Sequence, residues 1–256
     1  DVQKAATTVG LGTNIPHGPA IFIGSFESNL KDLTAAYTVF PNAGIRKQSY
    51  IIERIDDEDH NPIYRAAHVS VPALDPGAAW MTSELMEQVL TSGTAASAKS
   101  LGFKLPAAGK TGTTNDYKDA WFVGYTDSLT CGVWVGFDQP TTIVARGYGA
   151  TLALPVWTQL MTKAAARYPP AEFQPTMPLV RATVWAISNH LATTGCNAAG
   201  TAYEITLPET KAPQVVCEVH GGPQTEFAQR LEDSTRKASA LPNRIMQSFR
   251  KFFGGK

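Results

Sequence analysis

Three segments of strand character, 107–113, 120–126 and 129–137, follow one another in tight succession. Only the short break at Asp127-Ser128 separates the last two, which marks an antiparallel hairpin. The first of them runs into Ala108-Gly109-Lys110-Thr111-Gly112-Thr113-Thr114, where a lysine, two glycines and three hydroxyls crowd together. Such a run holds a carboxylate and an oxyanion side by side, as acyl transfer on a peptide requires. It also contains Gly-Lys-Thr, the tail of a phosphate-binding loop.

Spacing decides between these chemistries. A phosphate loop places a glycine five positions ahead of Gly109, but that position is Lys104, and Gly102 is two residues too far. A helix must then follow, with its N-terminus facing the phosphates. Gly112, Asn115 and Asp116 are poor helix formers, and Trp121-Phe122-Val123-Gly124-Tyr125 has strand character. The phosphate loop is therefore rejected. On a strand, Lys110 and Gly112 share one side while Thr111 and Thr113 share the other. The Thr111 and Thr113 hydroxyls then suit a substrate carboxylate, Lys110 supplies positive charge, and the Thr113 N–H suits an oxyanion. Gly112 leaves room for a substrate backbone.

The rest of the chain gives the strands helices to pack against. Apolar residues at Leu30, Leu33, Tyr37 and Phe40 predict a helix over 28–40, with Ser28 or Asn29 as N-cap and Asn42-Ala43-Gly44 as its stop. Segments 49–55 and 63–67 predict a hairpin with an acidic tip at 57–61. Asp75 as N-cap and Pro76 at the first helical position open a helix that runs to Leu90 and stops at Ser92-Gly93. A further helix is predicted from 151 to 166, closed by Tyr168-Pro169-Pro170. The expected fold class is α+β, an antiparallel sheet flanked by helices. Residues 171–222 read as a small loop-rich appendage and 223–256 as a polar, partly disordered tail ending in a short basic amphipathic segment.

Composition removes some partners. The 22 Lys and Arg balance 22 Asp and Glu, so no overall field favours nucleic acid. No apolar run is long enough to cross a bilayer as a helix, and the first residue is Asp1, not Met. The expectation is a chain cut from something longer, with any targeting element upstream. Cys131 sits in an apolar strand and reads as a buried thiol. Cys196 and Cys217 lie in a Gly/Pro/Thr-rich region, where an oxidised pair would staple loops and place the region outside the cytoplasm. Two free thiols, or a metal site completed by His220, are the alternatives. The disulfide is the favoured reading, and no metal or cofactor is expected.

Taken together, Thr91-Ser92-Gly93-Thr94-Ala95, the Lys110-Thr111-Gly112 run, Asp119-Ala120-Trp121-Phe122-Val123-Gly124-Tyr125 and Val133-Trp134-Val135-Gly136-Phe137-Asp138 resemble penicillin-binding proteins. More narrowly, they resemble the C-terminal portion of the transpeptidase domain of class A, bifunctional peptidoglycan synthases. The resemblance covers residues 1–170 well and continues loosely through Cys196, Cys217 and His220. It implies a serine β-lactamase-like fold, incomplete at its N-terminus, and D,D-transpeptidase activity that cross-links peptidoglycan stem peptides. Lys110, Thr111, Gly112 and Thr113 take the carboxylate-binding and oxyanion roles, with Thr114 beside Thr111 and Thr113 as a substrate-binding residue. Stem peptides ending in D-Ala-D-Ala and β-lactams are the implied ligands.

The resemblance also implies a serine nucleophile in a Ser-x-x-Lys motif, then Ser-x-Asn, ahead of Lys-Thr-Gly. Ser-x-Asn is absent. Ser-x-x-Lys occurs at Ser28, Ser234 and Ser248; the last two follow Lys110, and Ser28 reads as a helix cap. Nucleophile and second motif are therefore expected before Asp1, with a glycosyltransferase domain and a membrane anchor. The enzyme would work in the periplasm, and this chain alone would not acylate. Two other readings are a serine β-lactamase or D,D-carboxypeptidase, and a non-catalytic module that binds peptidoglycan or partners.

Overall fold

Asp119–Tyr125 and Thr130–Gly136 form the central hairpin that the short break at Asp127-Ser128 predicts. A computed structural model describes residues 2–12 and 15–220. It divides the chain into two units, 1–174 and 175–256.

The first unit runs α1 (Val2–Thr8), α2 (Leu30–Tyr37), β1 (Ile45–Lys47), β2 (Arg54–Asp56), β3 (Pro62–Arg65), β4 (Ser70–Pro72), α3 (Pro76–Thr91), β5 (Ala108–Thr113), β6 (Asp119–Tyr125), β7 (Thr130–Gly136) and α4 (Gly149–Ala164). β5, β6 and β7 form a three-stranded antiparallel sheet in that order, with Gly112 opposite Trp121 and Trp121 opposite Trp134. Strand alternation gives the sheet two buried faces. On one, Phe122 packs edge-on against Trp157 of α4 at 4.9 Å, joined by Leu154, Ala153 and Phe103. On the other, Tyr125 stacks on Phe40 at 5.9 Å and shares a 2.8 Å hydrogen bond with Ser83 of α3. The sheet thus lies between α4 and the pair α2 and α3. Burying Phe122 and Trp157 contributes about 2–3 kcal/mol each.

Helix ends follow their capping residues. Asp75 accepts the Ala78 N–H at 2.9 Å, and Pro76 starts α3. At α2 the cap is Asn29, whose side chain accepts the Asp32 N–H at 2.8 Å. Ser28, the other candidate, instead donates weakly to the Asn29 carbonyl at 3.5 Å, because the extended backbone at Asn29 makes it the boundary residue. The acidic-tipped hairpin is present as β2 and β3, shorter than the sequence suggests and exposed throughout. Its tip is closed by Asp57, which accepts the Asn61 N–H at 2.8 Å.

The second unit contains β8 (Leu179–Trp185), α5 (Thr194–Ala198) and β9 (Ala202–Pro208). β8 and β9 pair antiparallel along their full length. The segment read as loop-rich therefore holds a two-stranded sheet. The alternating Val180, Ala182 and Val184, all buried, are the sequence signal for it. The 223–256 tail, its basic segment and the Ser234 and Ser248 motifs lie outside the described residues.

Candidate active site

β5 is an edge strand among the described strands, pairing only with β6. Thr114 donates its N–H to the Asp119 carbonyl at 3.2 Å, which makes Thr114 and Asp119 a hydrogen-bonded pair. Bonded and non-bonded pairs alternate along an antiparallel ladder, so Thr113–Ala120 and Thr111–Phe122 are non-bonded pairs. Their N–H groups consequently point away from β6, toward the open edge.

Side chains gather along the same edge. The exposed Lys110 ammonium bends round the strand, donating to the Thr111 carbonyl at 3.0 Å and to the Thr111 hydroxyl at 3.4 Å. Thr111 Oγ1 lies 2.7 Å from Thr94 Oγ1, in the loop after α3. Lys110 donates to the Thr111 hydroxyl, which exchanges its second hydrogen bond with the Thr94 hydroxyl and, when Thr94 is the donor, has its own hydrogen to give to an acceptor. Thr113 Oγ1 accepts the Gly149 N–H at 3.0 Å, at the first residue of α4. Its hydrogen also remains for an acceptor, and the adjacent helix N-terminus favours negative charge.

Gly112 and Thr114 also meet structural demands of the sheet. A Cβ at Gly112 would stand 3.0 Å from the Cβ of Trp121. Thr114 turns away from the cluster to lock the hairpin, donating to Asp119 Oδ2 at 3.2 Å and accepting the Asp119 N–H at 2.8 Å. Asp119 in turn accepts the Trp134 indole N–H at 2.8 Å. Sequence reasoning did not assign Thr94 or Gly149 to the site. Thr94 lies in the quoted Ser92-Gly93-Thr94 run, but its distance of seventeen positions from Thr111 hides the contact. Gly149 has a backbone signal only in three dimensions, since a Cβ would fall 2.3 Å from the Trp121 carbonyl and 2.7 Å from that of Gly112.

In the second unit, the expected Cys196–Cys217 disulfide is not formed; both residues are free thiols. Each sulfur instead lies 3.4 Å from Nδ1 of His220, so the two thiols converge on the imidazole. Cys131 is a free, half-buried thiol, pushed up to about 11 by burial.

The sheet, its flanking helices and its hydroxyl-lined edge define an α+β domain whose open edge strand carries lysine and threonine side chains. The family described as the penicillin binding protein transpeptidase domain matches residues 23–162, and the chain belongs to it. Penicillin-binding protein 1A of Neisseria gonorrhoeae is 38% identical over 155 residues, covering 58% of this chain and 19% of that protein. The Rickettsia bellii protein of the same name is 32% identical over 188 residues, covering 64% and 24% respectively. The chain thus spans about a fifth to a quarter of the length of these relatives. The crystal structure of penicillin-binding protein 1A from Haemophilus influenzae has the same fold, with a TM-score of 0.69 over 82% of this chain and 36% of that one, at 20% identity. PonA1 of Mycobacterium tuberculosis, solved in complex with penicillin V, gives a TM-score of 0.55 at 25% identity over 67% of this chain and 51% of that one.

Proposed function

We propose that the β5 edge is the carboxylate and oxyanion wall of a D,D-transpeptidase that cross-links peptidoglycan stem peptides. The observation that carries this reading is the juxtaposition of the Lys110 ammonium, the Thr111 hydroxyl and the outward-facing Thr113 N–H on one open strand edge. A D-Ala-D-Ala terminus offers a carboxylate and, one residue back, the carbonyl to be attacked. Thr111 and Thr113 donate to the carboxylate, Lys110 lowers the cost of holding it, and the Thr113 N–H stabilises the tetrahedral oxyanion.

The nucleophile is a serine carried by a part of the protein outside this chain. Its oxygen bonds to the penultimate D-Ala carbonyl, and the terminal D-Ala leaves as the amine, taking up a proton. An amine of a neighbouring stem then attacks the ester, which restores the serine hydroxyl and forms the cross-link. Splitting the exchange into two acyl transfers lowers each barrier. A β-lactam carries a carboxylate beside a strained amide and fits the same wall; the penicillin V complex of PonA1 supports this ligand class. Relatives about three times as long leave room for a glycosyltransferase domain and a membrane anchor. A site of action at the periplasmic face follows from the substrate, and no described helix is long and apolar enough to cross a membrane.

Fluorescent penicillin and stem-peptide turnover test the reading. The full-length protein should acquire a covalent label and produce cross-linked dimers, and Lys110→Ala should lose most of both. This 256-residue chain by itself should stay unlabelled. Trimmed monomers in place of dimers would show a carboxypeptidase, and labelling that Lys110→Ala leaves unchanged would refute the assigned wall.

A further inference from the structure

The second unit brings three metal-ligating side chains together where nothing in the transpeptidase chemistry requires them. We propose that Cys196, Cys217 and His220 bind one divalent metal ion of the zinc class.

The ligand atoms of these residues all lie within 4.8 Å of one another, with both cysteines buried and His220 half-buried. Each sulfur stands 3.4 Å from His220 Nδ1. Tetrahedral zinc with Zn–S of about 2.3 Å and Zn–N of about 2.05 Å separates sulfur and nitrogen by about 3.5 Å. The observed spacing meets that geometry. A disulfide would instead need the sulfurs at about 2.05 Å, and here they are unbonded and share the imidazole. Thiolates and an imidazole are the donor set that favours tetrahedral zinc over hard oxygen-seeking cations.

The surrounding backbone is shaped to hold the three together. Thr193 caps α5, accepting the Cys196 N–H at 3.4 Å, which fixes Cys196 in the first turn. The Cys217 N–H donates to the Leu191 carbonyl at 2.9 Å, while the Leu191 N–H donates to Val215 at 2.8 Å. This bridge aligns Cys217 beside the start of α5. Gly195 supplies the remaining space, because a Cβ there would sit 2.2 Å from the His220 carbonyl oxygen and 3.0 Å from its Cβ. Trp185 of β8 meets the His220 ring edge-on at 5.1 Å and 84° and fixes its plane. Binding releases the two thiol protons to solvent, and the two thiolates neutralise the ion's double charge. Three ligands among the described residues leave a fourth tetrahedral position for water or another donor.

Metal analysis and cobalt substitution on the 256-residue chain, purified without added reductant, test the site. The expected result is one bound zinc, or one Co(II) taken up with thiolate charge-transfer and tetrahedral ligand-field bands. Cys196 and Cys217 should then alkylate only after chelation. Cys196→Ser and Cys217→Ser should lose the thiolate signature, while Cys131→Ser in the other unit keeps it. Gly195→Ala should weaken binding about 10–100-fold by displacing His220. A Cys196–Cys217 disulfide in the purified chain, or failure of the unmodified chain to bind Co(II), would overturn the proposal. So would a tetrahedral signature that survives Cys196→Ser.

Discussion

The hydroxyl of Thr94, in the loop after α3, lies 2.7 Å from that of Thr111 on β5. This contact joins two elements distant in sequence, at the hydroxyl assigned to the substrate carboxylate. It orients Thr111, whose oxygen receives a bond from Lys110 at 3.4 Å. Thr94 acts here as a positioning residue.

Thr94→Val should therefore slow β-lactam acylation of the full-length protein by about 3–10-fold, the worth of one hydrogen bond of about 1 kcal/mol. Thr94→Ser should restore the rate, since it retains the hydroxyl. Stopped-flow acylation kinetics on the three proteins give the comparison, and an equal loss in the serine variant would count against a hydrogen-bonding role.

Gly149 is the second point where backbone approach builds the site. An alanine Cβ would press on two carbonyl oxygens, of Trp121 and Gly112, which no rotamer change relieves. Gly149→Ala should destabilise the first unit by about 2 kcal/mol or more. Gly112→Ala, which meets the Trp121 Cβ at 3.0 Å, should cost less. Denaturant melts of the two variants should rank them in that order.

The sheet and its helices were legible because their signals are local. Asp75-Pro76 and the Asp127-Ser128 break act within a few residues, and the helix and hairpin they announce stand where expected. Phe122 and Tyr125 face opposite ways as strand alternation demands. The strand that carries Lys110, Thr111 and Thr113 was legible from its own residues. The contacts of Thr94 and Gly149 were not, because they arise only when a loop and a helix N-terminus fold onto β5. The β8–β9 sheet was missed because Gly- and Thr-rich flanks outweighed a short alternating pattern. The sequence brings Cys196 and Cys217 together as a candidate disulfide, but their spacing says nothing of the imidazole that both sulfurs approach.

Two carboxyl groups on α3 set a pH dependence. Burial, with Glu172 adding repulsion, pushes Glu84 from 4.5 up to about 7. Burial, then Glu84 and Glu172, pushes Glu87 up to about 8. The folded state thus holds protons that the unfolded chain releases near pH 4.5, so this stabilisation is full below that pH. It declines as pH rises through about 7 and 8. Thermal melts from pH 4 to 9 should show Tm falling across that window. Glu84→Gln with Glu87→Gln should flatten the curve and gain on the order of 2 kcal/mol at the alkaline end.

Carboxylate recognition by β5 is tested most directly by comparing acylation of the full-length protein by a penicillin and by its methyl ester. The native protein should prefer the free acid by about 10–100-fold, as expected for charge-assisted hydrogen bonds worth about 1.5–3 kcal/mol. Thr111→Val should abolish most of that preference while reacting with the ester at a nearly unchanged rate. A Thr111→Val protein that still discriminates acid from ester as the native protein does would contradict the account.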